Sequence, residues 1–207
     1  MPMVGGARPP DLDHLQWLTR ACGASFDGKS FLDLGCGSGW LCASLAERGA
    51  THVVGIDVKE PDVAHGANWR FQRVDLEGSR WPADVLKPES GRFDFILAFD
   101  VLEHLTSPAR FLGACHELLR DTGHLVLATP NTNSWERHLK GARWSGATDP
   151  QHLTLFNRYS LQFLLERTGF RPTTLTAPVR KLGPLATIAP QIGAQIFCVA
   201  TPIETPS

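Results

Sequence analysis

An apolar strand that runs into a glycine-rich turn and then into a helix constrains this chain more than any other feature. Residues 31–39 read FLDLGCGSG, with glycine at positions 35, 37 and 39. Glycine tolerates positive φ and has no Cβ, so the backbone can turn tightly and lie flush against a ligand. The following helix would direct its free N–H groups to the same place. This pattern predicts a site for a nucleoside cofactor.

Strands and helices alternate along the chain of 207 residues, a length that suits one domain with a substantial core. The apolar pattern predicts strands at 30–34, 52–56, 70–74, 93–99, 124–128, 171–176 and 195–200, and helices at 12–21, 39–48, from 108 onward, near 134–140 and at 157–168. Such alternation predicts a parallel sheet covered on both faces. Ligands of such sheets bind beyond the carboxyl ends of the strands, where Asp33, Asp57, Asp75 and Asp100 are expected.

Composition narrows the range of partners and locations. The formal net charge is −1, so no strong basic field is available for nucleic acid or anionic lipid. The five cysteines contain no CxxC pair, which favours free thiols in a reducing compartment. We see no signal peptide and no apolar run of about 18 residues. We therefore expect a cytoplasmic protein with no nucleic-acid partner and no membrane partner.

Two residues around the glycine turn bear on which cofactor it holds. A dinucleotide fingerprint requires a third glycine where this chain has Trp40. The carboxylate of Asp33 would repel a pyrophosphate, whereas it would suit a cation. A cationic nucleoside that carries an amino acid fits both residues. A nicotinamide-dependent oxidoreductase is the less favoured alternative.

Four stretches together resemble the motifs of class I S-adenosylmethionine-dependent methyltransferases. They are residues 33–39 (DLGCGSG), 55–57 (GID), 93–104 (FDFILAFDVLEH) and 123–131 (GHLVLATPN). The sequences VLEH and TPN are similar to those of small-molecule O- and N-methyltransferases, including the ubiquinone-biosynthesis type. The resemblance covers roughly residues 30–170. It implies a Rossmann-like, doubly wound α/β fold with a mostly parallel seven-stranded sheet and helices on both faces.

The resemblance also implies S-adenosylmethionine as the cofactor and assigns residues to it. Asp57 would accept hydrogen bonds from the ribose diol, and Asp75 with Leu76 would border the adenine. Asp100 and Val101 would line the methionine end, and Asp33 would order the turn and reach the ammonium group through water. The full expected set is Asp33, Gly35, Cys36, Gly37, Gly39, Asp57, Val58, Asp75, Leu76, Asp100 and Val101.

Methyl transfer requires a base only when the acceptor is a neutral hydroxyl or an ammonium. Candidates are His104, which directly follows a strand, His152 in the stretch after the fifth strand, and Glu103. A purely structural role for each histidine is the alternative. Glu103 and His104 with Asp100 are also considered as metal ligands, but no metal is expected.

These observations predict a single methyltransferase domain over residues 1–207. An N-terminal cap helix falls within 1–28, and a lid that forms the acceptor pocket spans 131–158. The expected reaction is methyl transfer to an oxygen or nitrogen of a small molecule. Residues 99–102 lack the Pro-Pro clamp that holds a flipped base, which disfavours nucleic-acid substrates. The short cap leaves two further expectations open: a homodimer that completes the pocket, and a catalytically silent methyltransferase-like subunit.

Overall fold

The computed structural model describes residues 12–23, 25–83, 85, 92–179 and 191–203. The strands of this part of the chain are β1 (Ser30–Leu34), β2 (His52–Asp57), β3 (Trp69–Arg73), β4 (Phe93–Phe99), β5 (Leu119–Pro130), β6 (Phe170–Thr176) and β7 (Gln195–Pro202). The helices are α1 (Leu12–Cys22), α2 (Trp40–Glu47), α3 (Pro108–Leu118), α4 (Trp135–Lys140), α5 (Ser145–Thr148) and α6 (Arg158–Arg167). Short 3₁₀ turns cover Leu102–His104 and Gly141–Arg143. The first of these is called the β4 exit turn below.

The strands form one sheet in the order β3-β2-β1-β4-β5-β7-β6. Strands β1 to β5 pair in parallel, and β7 pairs antiparallel with both β5 and β6. The chain moves outward from β1 through β2 to β3 and then returns to place β4 on the other side of β1. This reversal of strand order creates the crevice in which ligands of open α/β sheets bind. The predicted fold class is confirmed.

The core lies on both faces of the sheet, because successive strand residues point to opposite sides. On one face Leu32, Val54 and Ile96 pack with residues of α3 and α6. On the other face Phe31 and Val53 pack with residues of α1 and α2. Strands near the centre are therefore buried on both faces, as in β1, where all five residues are buried.

The structure differs from the predicted elements mainly at β5. Residues 121–123 are predicted as a turn before a strand at 124, but β5 already begins at Leu119. The register with β4 shifts between the pairs Phe93–Leu119 and Phe95–His124. The intervening residues form an irregularity within one strand, because pairing with β4 continues on both sides of them. The short helix α5 was not predicted either.

Three smaller predictions have different outcomes. The third strand is found one residue earlier than predicted, at Trp69–Arg73. Ser107 does occupy the N-cap of α3, but its side chain makes no capping hydrogen bond. The sequence also predicts Asp11 as the N-cap of α1 and a loop between β3 and β4. Asp11 and most of this loop after residue 83 lie outside the described residues.

Candidate functional site

A cavity of about 910 Å³ opens at the carboxyl ends of β1 to β4. Its wall is formed by Gly35, Gly37, Asp57, Val58, Lys59, Glu60, Asp62, Val74, Asp75, Leu76, Glu77, Asp100, Val101, His104, Leu105, Gln151 and Leu153. Eight of the residues expected to bind a cofactor are among them: Gly35, Gly37, Asp57, Val58, Asp75, Leu76, Asp100 and Val101. The crevice predicted from strand order and this cavity coincide.

The glycine turn brings backbone close to the next strand. The N–H groups of Gly35 and Cys36 both donate to the carbonyl oxygen of Ile56, at 2.8 and 2.9 Å. Gly35 has a φ of 75°, and a Cβ there would lie 2.6 Å from Cγ2 of Val101. A side chain at position 35 would therefore collide with the end of β4 as well as strain the backbone. Gly35 and Gly37 of this turn form part of the cavity wall.

Asp57 ends β2 with both carboxylate oxygens held by backbone. Oδ2 accepts a hydrogen bond from Gly37 N at 3.0 Å, and Oδ1 accepts one from Lys59 N at 3.0 Å. Each oxygen has further lone-pair capacity, so the fixed carboxylate can receive two vicinal hydroxyl donors. Asp57 thus connects the glycine turn to the end of β2, where a ribose diol is expected to bind.

The part of the cavity wall that follows β3 is apolar and lies next to the carboxylate of Asp75. Val74, Leu76 and Leu105 supply apolar surface, and Asp75 accepts a hydrogen bond from Glu77 N at 2.9 Å. A planar base with polar edges suits such a wall, because its faces are apolar and its rim takes hydrogen bonds.

Asp100 is held at the end of β4 in an unusual backbone conformation. Its φ of 54° is in the left-handed region, which non-glycine residues seldom occupy. Its N–H donates to Ala128 O at 2.9 Å, and its Oδ1 accepts from Gln195 Nε2 at 2.7 Å. Its other oxygen lies 3.6 Å from His14 Nε2. Residues from α1 and β7 therefore orient this carboxylate, and neither Gln195 nor His14 was identified from the sequence.

The three remaining expected cofactor residues, which lie in or next to the glycine turn, are not among the residues of the cavity wall. Asp33 is buried within β1 and accepts a hydrogen bond from the Cys42 thiol at 3.3 Å. Cys36 is also buried, beneath the same turn. A Cβ at Gly39 would lie 2.9 Å from the Trp69 ring, so this glycine permits close packing against β3. Contact of Asp33 with a cofactor through water stays a prediction.

The three candidate catalytic residues converge beside the cavity. Glu103 and His104 lie on the β4 exit turn, and the ring of His152 lies 4.9 Å from that of His104. Glu103 is 1% exposed, and its Oε2 accepts a hydrogen bond from Thr129 Oγ1 at 2.9 Å. Burial raises the pKa of the Glu103 carboxyl above its ordinary value, and the nearby charge of Asp100 adds to the effect. Only His104 belongs to the cavity wall itself.

Residues 131–158, the lid segment, are attached to the β4 exit turn. The N–H groups of Leu153 and Thr154 donate to Glu103 O at 2.7 and 3.0 Å. Gln151 and Leu153 thereby join the cavity wall, although neither was among the individual site residues expected from the sequence. Trp144 is buried and packs against Gly146, so its role is in the interior of the lid segment.

Among the described residues, no helix has the length and apolar character needed to cross a membrane.

Comparison with known proteins identifies the family. A family described as a methyltransferase domain matches the chain over residues 10–175. A ubiquinone biosynthesis O-methyltransferase from Acinetobacter baumannii is 35% identical over 123 residues, which are 58% of this chain and 51% of that protein. One from Rhodopseudomonas palustris is 31% identical over 160 residues, 70% of this chain and 62% of that protein. The chain thus spans roughly half of these relatives' length, or somewhat more.

Solved structures agree on the fold. An S-adenosylmethionine-dependent methyltransferase from Mesorhizobium loti superposes with a TM-score of 0.69 at 20% identity, covering 95% of this chain and 98% of that one. A 1,6-didemethyltoxoflavin-N1-methyltransferase from Burkholderia thailandensis, with bound 1,6-didemethyltoxoflavin and S-adenosylhomocysteine, superposes with a TM-score of 0.64 at 20% identity and covers 93% of this chain and 78% of that one. The nicotinamide alternative finds no support. The chain belongs to the methyltransferase domain family, as a member of the class I S-adenosylmethionine-dependent methyltransferases.

Proposed function

We propose that this protein transfers the methyl group of S-adenosylmethionine to an oxygen or nitrogen of a small molecule. The observation that carries the proposal is the Asp57 carboxylate, which Gly37 N and Lys59 N hold in place at the end of β2. It lies beside the glycine turn, in the wall of a cavity large enough for a nucleoside. A fixed carboxylate with free lone pairs at that place suits a ribose diol.

The rest of the cavity wall matches the other parts of the cofactor. Asp75 with Leu76 would border the adenine, and Val58 would cover the ribose. Asp100 and Val101 would line the methionine end, where a carboxylate suits the ammonium and sulfonium charges. The cofactor would supply an activated methyl group on sulfur. The protein would then contribute orientation and exclusion of water, which account for much of the rate of a two-reactant step.

The size of the cavity leaves room for an acceptor beside the cofactor. Ligand cavities usually measure about 300–1,000 Å³, and this one is near the upper end at about 910 Å³. His104, Gln151 and Leu153 form the end next to Asp100, where an acceptor would meet the methyl group. Relatives named ubiquinone biosynthesis O-methyltransferase support an oxygen of the acceptor as the methylated atom. We propose that Glu103, His104 and His152 are the catalytic residues that assist loss of the proton from this acceptor.

Calorimetric titration with S-adenosylhomocysteine tests the cofactor site. Replacing Asp57 by Ala should weaken binding by at least about tenfold, because the ribose loses a charged hydrogen-bond acceptor. Asp121→Ala is the matched control, since Asp121 is an exposed carboxylate paired with Arg92. Equal affinities for the unsubstituted protein and the Asp57 variant would refute the ribose assignment.

Turnover is tested separately, with S-adenosylmethionine and a panel of small phenols and amines. Formation of S-adenosylhomocysteine that depends on one panel member would support the proposed reaction. Cofactor binding without turnover on any member would contradict it.

Three expectations about the surroundings of the protein stay predictions. They are a cytoplasmic location, assembly as a homodimer, and the absence of nucleic-acid and membrane partners. Size-exclusion chromatography with light scattering measures the oligomeric state directly.

A further inference from the structure

Three side chains at the acceptor end of the cavity form a group that could hold a metal ion. Glu103 and His104 come from the β4 exit turn, and His152 comes from the lid segment. One ligand atom from each lies within 4.8 Å of the others. Metal–ligand bonds of about 2.1 Å place tetrahedral ligand atoms about 3.4 Å apart, so small rotations of these side chains would close the remaining gap.

The hydrogen bonds of the two imidazole rings determine which nitrogen is available. His104 Nδ1 lies 3.0 Å from Gln151 O, and His152 Nδ1 lies 2.9 Å from Gly146 O. A carbonyl oxygen only accepts hydrogen bonds, so each Nδ1 carries the hydrogen. In the neutral rings each Nε2 is then left with a free lone pair. A backbone carbonyl that fixes the tautomer in this way is the usual outer support of a histidine that binds metal.

The third side chain has an oxygen without a partner. Glu103 is 1% exposed, and Thr129 satisfies its Oε2. Its Oε1 is buried without any hydrogen-bond partner. Buried polar atoms are nearly always satisfied, so an oxygen of this kind calls for a partner such as a water molecule or an ion. A cation held jointly with the two imidazoles would satisfy it.

We propose that Glu103, His104 and His152 bind one divalent cation of the Mn²⁺, Fe²⁺ or Zn²⁺ type. Two imidazoles and one carboxylate favour these ions over Mg²⁺ and Ca²⁺, which prefer oxygen ligands. Asp149 Oδ2 lies 3.8 Å from His152 Nε2 and is close enough to join through water. This proposal replaces the expectation that the chain holds no metal. The carboxylate of Asp100 is turned toward Gln195 and His14, so the ligand set differs from the one considered in the sequence.

The role of the cation rests on the proposed methyl transfer. His104 forms part of the cavity wall, so coordination positions not taken by protein would face the acceptor. An acceptor hydroxyl bound there would lose its proton to solvent more readily. The oxygen would then form a bond to the methyl carbon as the carbon–sulfur bond breaks and its electron pair passes to sulfur. The same ion would join the lid segment to the β4 exit turn.

Calorimetry of the full chain, after treatment with a chelator, tests the site. Titration with MnCl₂ should show one ion per chain, with MgCl₂ binding more weakly. His152→Asn and Glu103→Gln should each weaken Mn²⁺ binding by roughly tenfold or more, because each removes one ligand. His138→Asn is the matched control, since His138 is an exposed histidine of α4 and should leave the affinity unchanged.

Binding of S-adenosylhomocysteine by each variant separates this proposal from the previous one. Retained nucleoside affinity together with lost Mn²⁺ affinity would support the metal site and show that the variants fold. Absence of Mn²⁺ binding at millimolar concentration would overturn the metal site and leave the cofactor site standing. Unchanged Mn²⁺ affinity in both ligand variants would overturn it as well. If the unsubstituted protein failed to bind S-adenosylhomocysteine, that result would instead refute the proposed function.

Discussion

Three side chains at the carboxyl end of the sheet, those of Asp57, His104 and His152, are oriented by backbone groups. Both oxygens of Asp57 accept backbone N–H groups, and the Nδ1 atoms of His104 and His152 lie within hydrogen-bond distance of backbone carbonyls. Backbone partners do not lose rotamer freedom on binding, so they hold a side chain in one direction at low entropic cost. The site is therefore largely formed before a ligand enters.

Asp94 is a carboxylate in a structural role, held by one backbone group and two side chains. Its Oδ2 accepts hydrogen bonds from Ser30 N and Ser30 Oγ, both at 2.8 Å, and its Oδ1 accepts one from Arg120 Nη1 at 2.7 Å. Burial by itself would raise the pKa of Asp94. The hydrogen bonds from Ser30 and the contact with Arg120 outweigh this effect and hold the pKa below its ordinary value.

Replacing Asp94 by Asn should lower the free energy of unfolding by about 1–3 kcal/mol at pH 7, because charged hydrogen bonds are lost. A carboxyl whose pKa is lowered on folding stabilises the protein above its unfolded pKa of about 3.9. That contribution disappears as the pH falls through the lower, folded value. The gap between the two proteins should therefore narrow below about pH 4, as urea unfolding at several pH values would show.

Asp121→Asn is the control for this comparison, because Asp121 pairs with Arg92 at the surface and exposed pairs contribute little. A gap between Asp94→Asn and the unsubstituted protein that stays constant from pH 7 to acid pH would contradict the assigned role of the charge.

Helix α6 illustrates how an element is anchored at its end. Asn157 accepts a hydrogen bond from Ser160 N at 2.9 Å, and Ser160 Oγ accepts one from Asn157 N at 3.0 Å. This reciprocal capping box satisfies two N–H groups that the helix itself leaves free. Leu161 and Leu165 then pack into the core beside β5 and β7.

Asn157→Ala should lower stability by about 1 kcal/mol through loss of this cap. Ser107→Ala is a matched control in the same chain, because Ser107 occupies the N-cap of α3 without a capping hydrogen bond. It should change stability by less than about 0.5 kcal/mol. Thermal unfolding of both variants measures the difference, and equal losses would show that the capping box adds nothing to α6.

At the scale of the whole molecule, the cofactor and the fold should stabilise one another. A ligand that binds only the folded state stabilises it by about 2.7 kcal/mol at a concentration of 100 Kd. For a chain of this size that corresponds to a rise in Tm of about 5–10 °C. S-adenosylhomocysteine should produce this rise in a thermal scan, whereas NADH should produce none. A shift with NADH alone would favour a dinucleotide site.

Local features of the fold could be predicted from the sequence because their causes are local. The bounds of β1 and β4 agree with prediction, since β1 ends at the glycine turn and β4 ends just before Asp100. The glycine turn and Asp57 were also found from the chain alone. Positive φ at alternate positions requires glycine, and a residue that ends a strand of a parallel sheet faces the ligand crevice.

The tertiary structure decided the contacts between residues that are far apart in the chain. Gln195 reaches Asp100, and His152 comes beside His104, only because β7 inserts next to β5 and the lid segment folds back onto the β4 exit turn. Such neighbours are selected by packing and strand pairing, which leave no periodic trace in the sequence. The sequence alone therefore determined the strand–turn–helix unit and its carboxylate. The packed chain determined which distant groups lie around Asp100 and His104, and it buried an oxygen of Glu103 without a hydrogen-bond partner, which only a three-dimensional arrangement could reveal.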